Sequence, residues 1–527
     1  MKKLLYLVFL ITLTGSLNAQ TTAWISQVNE EENFVAAGAT KYFTVSKTPI
    51  ANSVYAVRSF NSNGTELMAN SIIPNSSYTN MTVVKILATP TDELYIIGNI
   101  SNFTTFHSVI FKLNSDLSIA WRREITNGVK TYAKDVIIKG SNVLILSSFY
   151  PTATGGTRMA FTEFNTANGN FNQTIQPTFD FAPRQMVIGG NQNVYVCGGS
   201  EINLNQARVV RFGTGFFQVW NFTTNLAANT STLTPFEFIQ LDAYGNVYVG
   251  GNSYNSTYGV FRNEVRKLNS SGVQVSSYQS TNINSDEIMK GMKLNIAGQL
   301  FYVSKMQSTG STNSNHRIVK LTSSTPLTFQ NSFATTGMWP TSGVTVTGFE
   351  VTQGGAVFMS GKRNGGSNLT NNYLSFKLKS NFTFDFFEQY NGGACNSLIK
   401  AIPGSFPNDE FVTTGVIGNI NMLIKYTVVA PKITPDSEPS PVGEIAKLTC
   451  YPNPVNSTLT IEGITDLNAM KLVDISGKQY AIQTIDAAFD GTTYNLKIDV
   501  AHLAKGIYIL SAVNNGKMEN LKVVVDH

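Results

Sequence analysis

Between about residue 21 and residue 430, apolar and polar positions recur in one arrangement: a polar turn, a β-branched and aromatic run, and a further strand closing on a large apolar residue. The plainest copy is Leu241-Asp242-Ala243-Tyr244-Gly245-Asn246-Val247-Tyr248-Val249-Gly250-Gly251. Asp and Gly-Asn shape a turn there, and the run after it has the composition of a buried strand. Related runs are Asp92 to Gly98, Asn193 to Gly199, Gln299 to Val303 and Val357 to Gly361, with looser copies at Lys41 to Val45, Asn142 to Leu146 and Glu410 to Gly415.

A second mark follows each run, a strand that ends in an aromatic residue or leucine: Phe60, Leu113, Phe164, Phe212, Leu268, Leu321, Leu378 and Tyr426, spaced 48 to 57 residues apart. A period near 50 with four short strands per copy predicts an all-β chain folded as a β-propeller, in which stacking of the blades buries both faces of every sheet. Eight marks predict eight four-stranded blades, or seven if Lys41 to Val45 is not a true copy. Trp121, Trp220, Phe329 and Phe386 each fall eight residues after a mark, which places an aromatic on the fourth strand. After Tyr426 the chain instead runs into Pro431. Ala23-Trp24 resembles Ala120-Trp121, so the segment near Trp24 is expected to supply the missing fourth strand and close the ring, removing its open edges. The Asp-x-x-Gly-Asn-Val-Tyr-Val-x-Gly run resembles the repeats of secreted bacterial propellers of the SBBP and NHL-like kind. That resemblance implies a fold, and propellers host many functions.

Residues 431–446 break the pattern as a Pro-rich, extended linker open to proteolysis. Beyond them, residues 447–527 carry short alternating runs, Leu459 to Ile461, Lys471 to Ile475 and Tyr494 to Val500, then Gly506 to Val513 and Leu521 to Val525 around an Asn-Gly turn. These predict a small Ig-like β-sandwich. The order of its pieces is Pro452-Asn453-Pro454, a turn with Asp474, Gly477 and Lys478, a strand with Gly506 and Tyr508, a hairpin at Gly516, and a final strand with Lys522. It resembles the type A C-terminal sorting domain of the type IX secretion system of Bacteroidetes. The resemblance implies that the domain engages the type IX machinery, that the chain crosses the outer membrane, and that the tail is removed, leaving a secreted or surface-attached protein. The family usually ends on a basic residue, whereas Asp526-His527 stand here.

The other end agrees. Met1-Lys2-Lys3, the apolar run Leu4 to Leu13 and Leu17-Asn18-Ala19 predict a signal peptide of residues 1–19 cleaved between Ala19 and Gln20, leaving residues 20–430 as the propeller. That run is too short to span a membrane as a helix, and no transmembrane segment is expected. Charged residues make up only 13% of the chain, so its surface must be wetted by hydroxyls and amides. The formal charge of +5 becomes +3 without Lys2 and Lys3, which supplies no basic stripe for nucleic acid. Cys197, inside an apolar strand pattern, is expected as a buried thiol. A bond between Cys395 and Cys450 would tie the cargo to a tail destined for removal and is not expected.

The chemistry-bearing residues are few. His107 and His316, the two cargo histidines, are expected on solvated loops and cannot build a three-histidine metal site. No cofactor is implied: the chain has no phosphate loop, nucleophile elbow, zincin helix or calcium loop. Asp242 with Gly245-Asn246 reads as a turn. The adjacent pairs Glu30-Glu31, Asp92-Glu93, Asp286-Glu287 and Asp409-Glu410 cannot face one substrate from a strand, because neighbours point to opposite faces. Asp92-Glu93 and Asp409-Glu410 are expected at solvated, capped turns. Tyr254, Tyr258, Tyr373 and Tyr390 are expected in loops able to stack on sugars. These residues favour an exported propeller that binds a glycan or protein partner. The alternatives are a polysaccharide- or peptide-degrading enzyme with its site at the propeller axis, to which carboxylates from different blades could converge, and a structural surface scaffold.

Overall fold

The structure is a computed structural model. It describes residues 20–28, 31–48, 54–74, 77–102, 104–152, 156–201, 203, 206–226, 235–281, 284–295, 297–308, 315–322, 324–335, 344–352, 354–363, 372–391, 393–400, 411–417, 420–428, 448–464, 466–474, 478–489, 494–514 and 517–526. The chain divides into two units, Met1–Pro431 and Lys432–His527.

The described residues of the first unit are almost wholly strand. β1 (Gln20–Val28) is followed by a sheet of β2 (Glu31–Ala37), β3 (Lys41–Lys47), β4 (Tyr55–Asn61) and β5 (Glu66–Ile72). Next come β6 (Asn80–Ala88), β7 (Leu94–Ser101), β8 (Phe106–Leu113) and β9 (Ile119–Ile125), then β10 (Lys130–Lys139), β11 (Asn142–Tyr150), β12 (Arg158–Asn165) and β13 (Phe171–Ile175). These two groups share one sheet only through a single parallel pairing, Lys130 with Phe106. Four-stranded sheets follow from β14 (Ala182–Ile188), β15 (Val194–Gly199), β16 (Gln206–Phe212) and β17 (Gln218–Asn225), and from β18 (Phe236–Leu241), β19 (Val247–Asn255), β20 (Val260–Leu268) and β21 (Gln274–Gln279). Two more comprise β22 (Ser285–Leu294), β23 (Leu300–Ser308), β24 (Asn315–Leu321) and β25 (Phe329–Ala334), then β26 (Val344–Val351), β27 (Val357–Arg363), β28 (Asn372–Leu378) and β29 (Phe384–Asn391). The last sheet joins β30 (Gly393–Lys400), β31 (Phe411–Ile417) and β32 (Ile420–Val428) to β1, which pairs antiparallel with β32, Trp24 opposite Lys425.

The register marks all fall at one place. Phe60, Leu113, Phe164, Phe212, Leu268, Leu321, Leu378 and Tyr426 each sit on the third strand of a group, opposite an apolar residue of the second: Tyr42, Leu94, Val143, Val194, Val247, Leu300, Val357 and Phe411. All eight marks are buried, which explains why the sequence holds them large and apolar. Trp121, Trp220, Phe329 and Phe386 lie on fourth strands. First strands form the inner layer: β2, β6, β10, β14, β18, β22, β26 and β30 pack each against the next, and β30 packs against β2. Fourth strands such as β5 and β17 are mostly exposed.

Every first strand carries a register shift against its second. The shifts fall at Glu31/Asn33, Val83/Lys85, Ala133/Asp135, Pro183/Gln185, Phe236/Phe238, Met289/Gly291, Val346/Gly348 and Cys395/Ser397. A bulge leaves a residue outside the ladder and unpaired polar backbone beside it. At four of these bulges a side chain from the preceding group satisfies nearby backbone. Asn99 Oδ1 accepts from Ala133 N at 2.8 Å, Asp135 Oδ2 from Met186 N at 2.9 Å, Gln185 Oε1 from Ile239 N at 2.9 Å, and Asn252 Oδ1 from Met289 N at 2.9 Å. These successive groups, from the second to the sixth, are thus fastened to one another by polar as well as apolar contact.

Tryptophan makes a second fastening. Trp121 Nε1 donates to Thr166 O of the following group at 3.3 Å, and Trp220 Nε1 to Ser270 O at 3.1 Å. Each indole lies over a glycine with positive φ, Gly169 (φ 66°) or Gly272 (φ 81°), where a Cβ would stand 2.5 Å from the ring. Only glycine fits both the turn and the ring.

The second unit has two four-stranded sheets among its described residues. One has the order β33 (Thr449–Tyr451), β34 (Thr458–Ile464), β38 (Tyr494–Asp499) and β37 (Gln483–Phe489). The other has the order β36 (Gln479–Tyr480), β35 (Asp466–Asp474), β39 (Gly506–Asn514) and β40 (Lys517–Val525). Both give to one core, Leu459, Ile461, Leu496 and Ile498 meeting Leu472, Leu510, Val523 and Val525.

Candidate functional site

The ends of the first unit differ. Most described connections between first and second strands, and between third and fourth, are short turns, and several share one design, a polar side chain that caps the turn. Thr89 Oγ1 accepts from Glu93 N at 3.0 Å, Asp242 Oδ1 from Asn246 N at 2.9 Å, Asn295 Oδ1 from Gln299 N at 2.7 Å and Thr352 Oγ1 from Ala356 N at 2.9 Å. Asn61 and Asn269 do the same between third and fourth strands. Asp242 Oδ2 also accepts from Asn246 Nδ2 and the Tyr248 hydroxyl, so this carboxylate belongs to its turn. At the opposite ends of these strands the spacing from one strand to the next varies more.

That uneven end carries an aromatic group. Tyr132 near the start of β10, Tyr150 at the end of β11 and Phe106 at the start of β8 meet with ring centroids 5.9 Å (Phe106–Tyr132) and 6.3 Å (Tyr132–Tyr150) apart. All three are half-buried. Lys130 Nζ stands 5.1 Å from the Phe106 ring and Lys134 Nζ 6.0 Å from the Tyr132 ring. On the opposite face of β8, Tyr78 OH lies 2.8 Å from His107 Nδ1 and donates to Glu124 Oε2 at 3.0 Å. Burial holds His107 below the usual histidine value against the pull of Glu124. Aromatic faces flanked by hydrogen-bonding groups offer the mixed surface a sugar ring requires.

Several expected sites lie elsewhere. His107 and His316 are on strands β8 and β24, not on loops. His316 is fully buried, and its Nδ1–H donates to Val344 O at 2.7 Å; a neutral imidazole with a backbone partner tolerates that environment. Tyr373 is buried on β28 against Thr413, and Tyr254 and Tyr390 are strand residues as well. Tyr258 alone of the four lies in a connection, half-exposed beneath Arg262. Asp92 is not a solvated turn residue: it is buried and accepts from Thr40 N at 3.0 Å and Thr40 Oγ1 at 2.5 Å in the preceding sheet. Glu93 pairs with Lys112 at 2.7 Å. Asp286 accepts from Phe261 N, while Glu287, fully buried, meets Arg317 at 3.1 Å and Asn263 at 3.2 Å. The Glu30 and Asp409-Glu410 positions lie outside the described residues. Cys197 is buried, and burial raises its thiol well above the ordinary value; Cys450 is a free thiol. Among the described residues no group of three or more His, Cys, Asp or Glu gathers as metal ligands, and no helix is long and apolar enough to cross a membrane.

In the second unit the Pro-Asn-Pro stretch lies against the last strand. Pro452 and Pro454 flank Asn453, each following a cis peptide bond. Asn453 Nδ2 donates to Lys522 O at 2.6 Å, and its Oδ1 accepts from Val524 N at 2.8 Å. Val455 N donates to Val524 O, and Asp526 N to Val455 O. Asp474 closes its turn by accepting from Lys478 N and from the Tyr480 hydroxyl, both at 3.0 Å. Gly506 opens β39 opposite Val525. Tyr508, buried, packs edge-on to Tyr480 and donates its hydroxyl to Ala504 O at 2.8 Å. Asp526 pairs with Lys505 at 2.5 Å. Gly477, Gly516 and Ala19 lie outside the described residues, and Gln20 is the first residue of β1.

Comparison with known proteins divides along the same line. A solved structure described as the Dos1 propeller aligns over 78% of this chain and 96% of its own at 10% identity, with a TM-score of 0.51. A subtype N10 neuraminidase-like protein of A/little yellow-shouldered bat/Guatemala/060/2010 aligns over 57% of this chain and 98% of its own at 10% identity, with a TM-score of 0.35. At 10% identity the first likeness is one of fold alone, an all-β propeller. A search of curated proteins found no match. Residues 449–526 match the family described as the secretion system C-terminal sorting domain. The chain is accordingly a type IX-sorted protein of β-propeller fold that carries a sorting domain of this family, exported to the cell surface or the extracellular space.

Proposed function

We propose that the cargo is a closed ring of eight four-stranded blades that binds a glycan on its uneven end. The aromatic group of Phe106, Tyr132 and Tyr150 carries this reading, because half-buried rings beside Lys130 and Lys134 combine stacking faces with hydrogen-bonding groups. Closure is supported by β1 completing the last sheet and by contact between β30 and β2. In this reading residues 1–19 are a signal peptide ending at Ala19, residues 20–430 the propeller and residues 431–446 a tether. Residues 447–527 are an Ig-like sandwich whose Pro-Asn-Pro, Asp474, Lys478, Tyr508 and Lys522 features present it to the type IX machinery.

The test is a glycan array probed with the purified chain and with Tyr132→Ala, alongside turnover measurements on the same glycans. Retention of a glycan by the parent and its loss by the variant supports the reading. Turnover of a bound polysaccharide would move the assignment to an enzyme, and binding of nothing by a folded chain would leave the scaffold reading. Export is tested separately by fusing residues 431–527 to a periplasmic reporter in a bacterium with type IX machinery. Reporter held in the periplasm would refute a portable signal.

A further inference from the structure

The eight bulges stand at one level of the inner layer. Val84, Glu237, Lys290 and Thr347, the residues omitted from the ladder, each lie five positions before the residue that caps or opens the next turn: Thr89, Asp242, Asn295 and Thr352. Arg184 stands five before Gly189, and Lys134 occupies the matching bulge of β10. The described bulge side chains therefore share one level over six consecutive inner strands, and their residue types are not uniform. Across the four successive inner strands β10, β14, β18 and β22 the belt reads Lys134, Arg184, Glu237, Lys290. The two remaining members, Glu32 and Asn396, have side chains outside the described residues.

These four groups sense one another across sheets. Arg184 Nε is 3.5 Å from Glu237 Oε2, and each side chain keeps about a third of its surface open. Arg184 Nε is shielded from water without a hydrogen-bond acceptor among the described residues. Burial, then the neighbouring Arg184, hold Lys134 below the usual lysine value against the pull of Glu201 and Glu237. Burial pushes the Glu237 carboxyl up although Arg184, Lys134 and Lys290 all pull it down. Glu201 is itself engaged by Thr157. Lys290 is exposed. Three cations thus converge on a carboxylate that is costly to ionise where it stands, an arrangement with positive charge to spare. Lys134 is also two residues from Tyr132 on β10, its Nζ 6.0 Å from that ring, so the charged belt continues into the aromatic group.

We infer that the arc Lys134, Arg184, Lys290 binds the anionic substituent of an acidic glycan whose sugar ring stacks on Tyr132. The inference deepens the glycan reading and rests on it. Arg184 and Lys290 would approach the acid group as charge-assisted donors, the contacts that discriminate a charged sugar from its neutral counterpart. Glu237, 3.5 Å from Arg184 Nε, neutralises part of the arc's charge and, by repelling a second anion, restricts the arc to one acid group.

The experiment is calorimetric titration of the full chain at fixed ionic strength. The probes are oligogalacturonate, its methyl ester, dextran sulfate and neutral dextran, each against the parent, Arg184→Gln and Lys290→Gln. The expected result is at least about tenfold tighter binding of one charged probe than of its neutral counterpart, with that preference falling severalfold in both variants while melting temperature holds. A carboxylate preference identifies a uronate, and a sulfate preference a sulfated sugar. Lys290 is exposed, so its variant stays informative should Arg184→Gln fail to fold. Equal binding of charged and neutral probes, unmoved by either substitution, would overturn the belt and leave the glycan reading standing. Binding of no probe would overturn the belt and count against the glycan reading together.

Discussion

Asn453 brackets Val523: its side-chain amide donates to the Lys522 carbonyl at 2.6 Å and accepts from the Val524 amide at 2.8 Å. One side chain therefore imitates a rung of sheet at the edge of β40, where an open ladder would otherwise invite another strand. Asn453→Ala removes both bonds, each with a net worth of about 1 kcal/mol. Faster hydrogen exchange at the Val524 amide of the full chain is expected, with exchange at Val249, in the propeller, unchanged. Unaltered exchange at Val524 would show that the flanking backbone bonds of Val455 suffice.

Removal of β1 tests closure directly. A chain that lacks Gln20–Val28 leaves β32 as an uncovered edge and forfeits the whole β1–β32 ladder. A fall of several degrees in melting temperature is expected, whereas Tyr244→Ala, at a residue 88% exposed, is expected to leave it where it is.

Gly169 and Gly140 share a positive φ, 66° and 60°, yet a Cβ at Gly169 would stand 2.5 Å from the Trp121 ring and at Gly140 would meet nothing within 4 Å. Alanine at Gly140 adds backbone strain of roughly 1 kcal/mol. At Gly169 overpacking adds about 1–3 kcal/mol more. Urea denaturation of the two variants is expected to rank them in that order, and equal midpoints would mean that the indole moves aside freely.

Burial of His316 holds it down to about 4, against an ordinary value of 6.5. Between those values the unfolded chain binds more protons than the folded one, so the stabilisation is complete above pH 6.5 and lost as pH falls through 4. The gap corresponds to about 3 kcal/mol. Melting measured at pH 7.5 and 4.5 is expected to fall further for the parent than for His316→Gln. An equal fall would assign the acid sensitivity to other groups.

The parts legible in the sequence were those for which every copy needs one residue type. Phe60, Leu113 and their counterparts are buried opposite the second strand, a position that admits only a large apolar side chain, and Trp121 and Trp220 recur because each covers a glycine in the next sheet. The bulges were illegible, because a bulge is a departure of the backbone forced by crowding of inner strands and accepts Val84, Lys134, Glu237 or Thr347 alike. The pairing of Asp92 with Thr40 was hidden for a related reason: a carboxylate at a turn looks the same whether it faces water or the neighbouring sheet. His316 was misplaced because a rare residue inside an apolar strand leaves no periodic trace. Phe106, Tyr132 and Tyr150 are far apart in the chain, and only the starts of β8 and β10 and the end of β11 bring them together.

The pairing of β1 with β32 joins residues separated by almost the whole of the first unit, Gln20 with Val428. Such a contact is among the last that a growing chain can make, and a fold governed by distant contacts forms slowly. The final sheet therefore remains unfinished until the chain has reached Val428, about 20 residues before the sorting domain begins. A ribosome that stalls early yields a chain with neither a finished last sheet nor a sorting domain. Completion of the last sheet and the sorting domain are thereby written into the same end of the polypeptide.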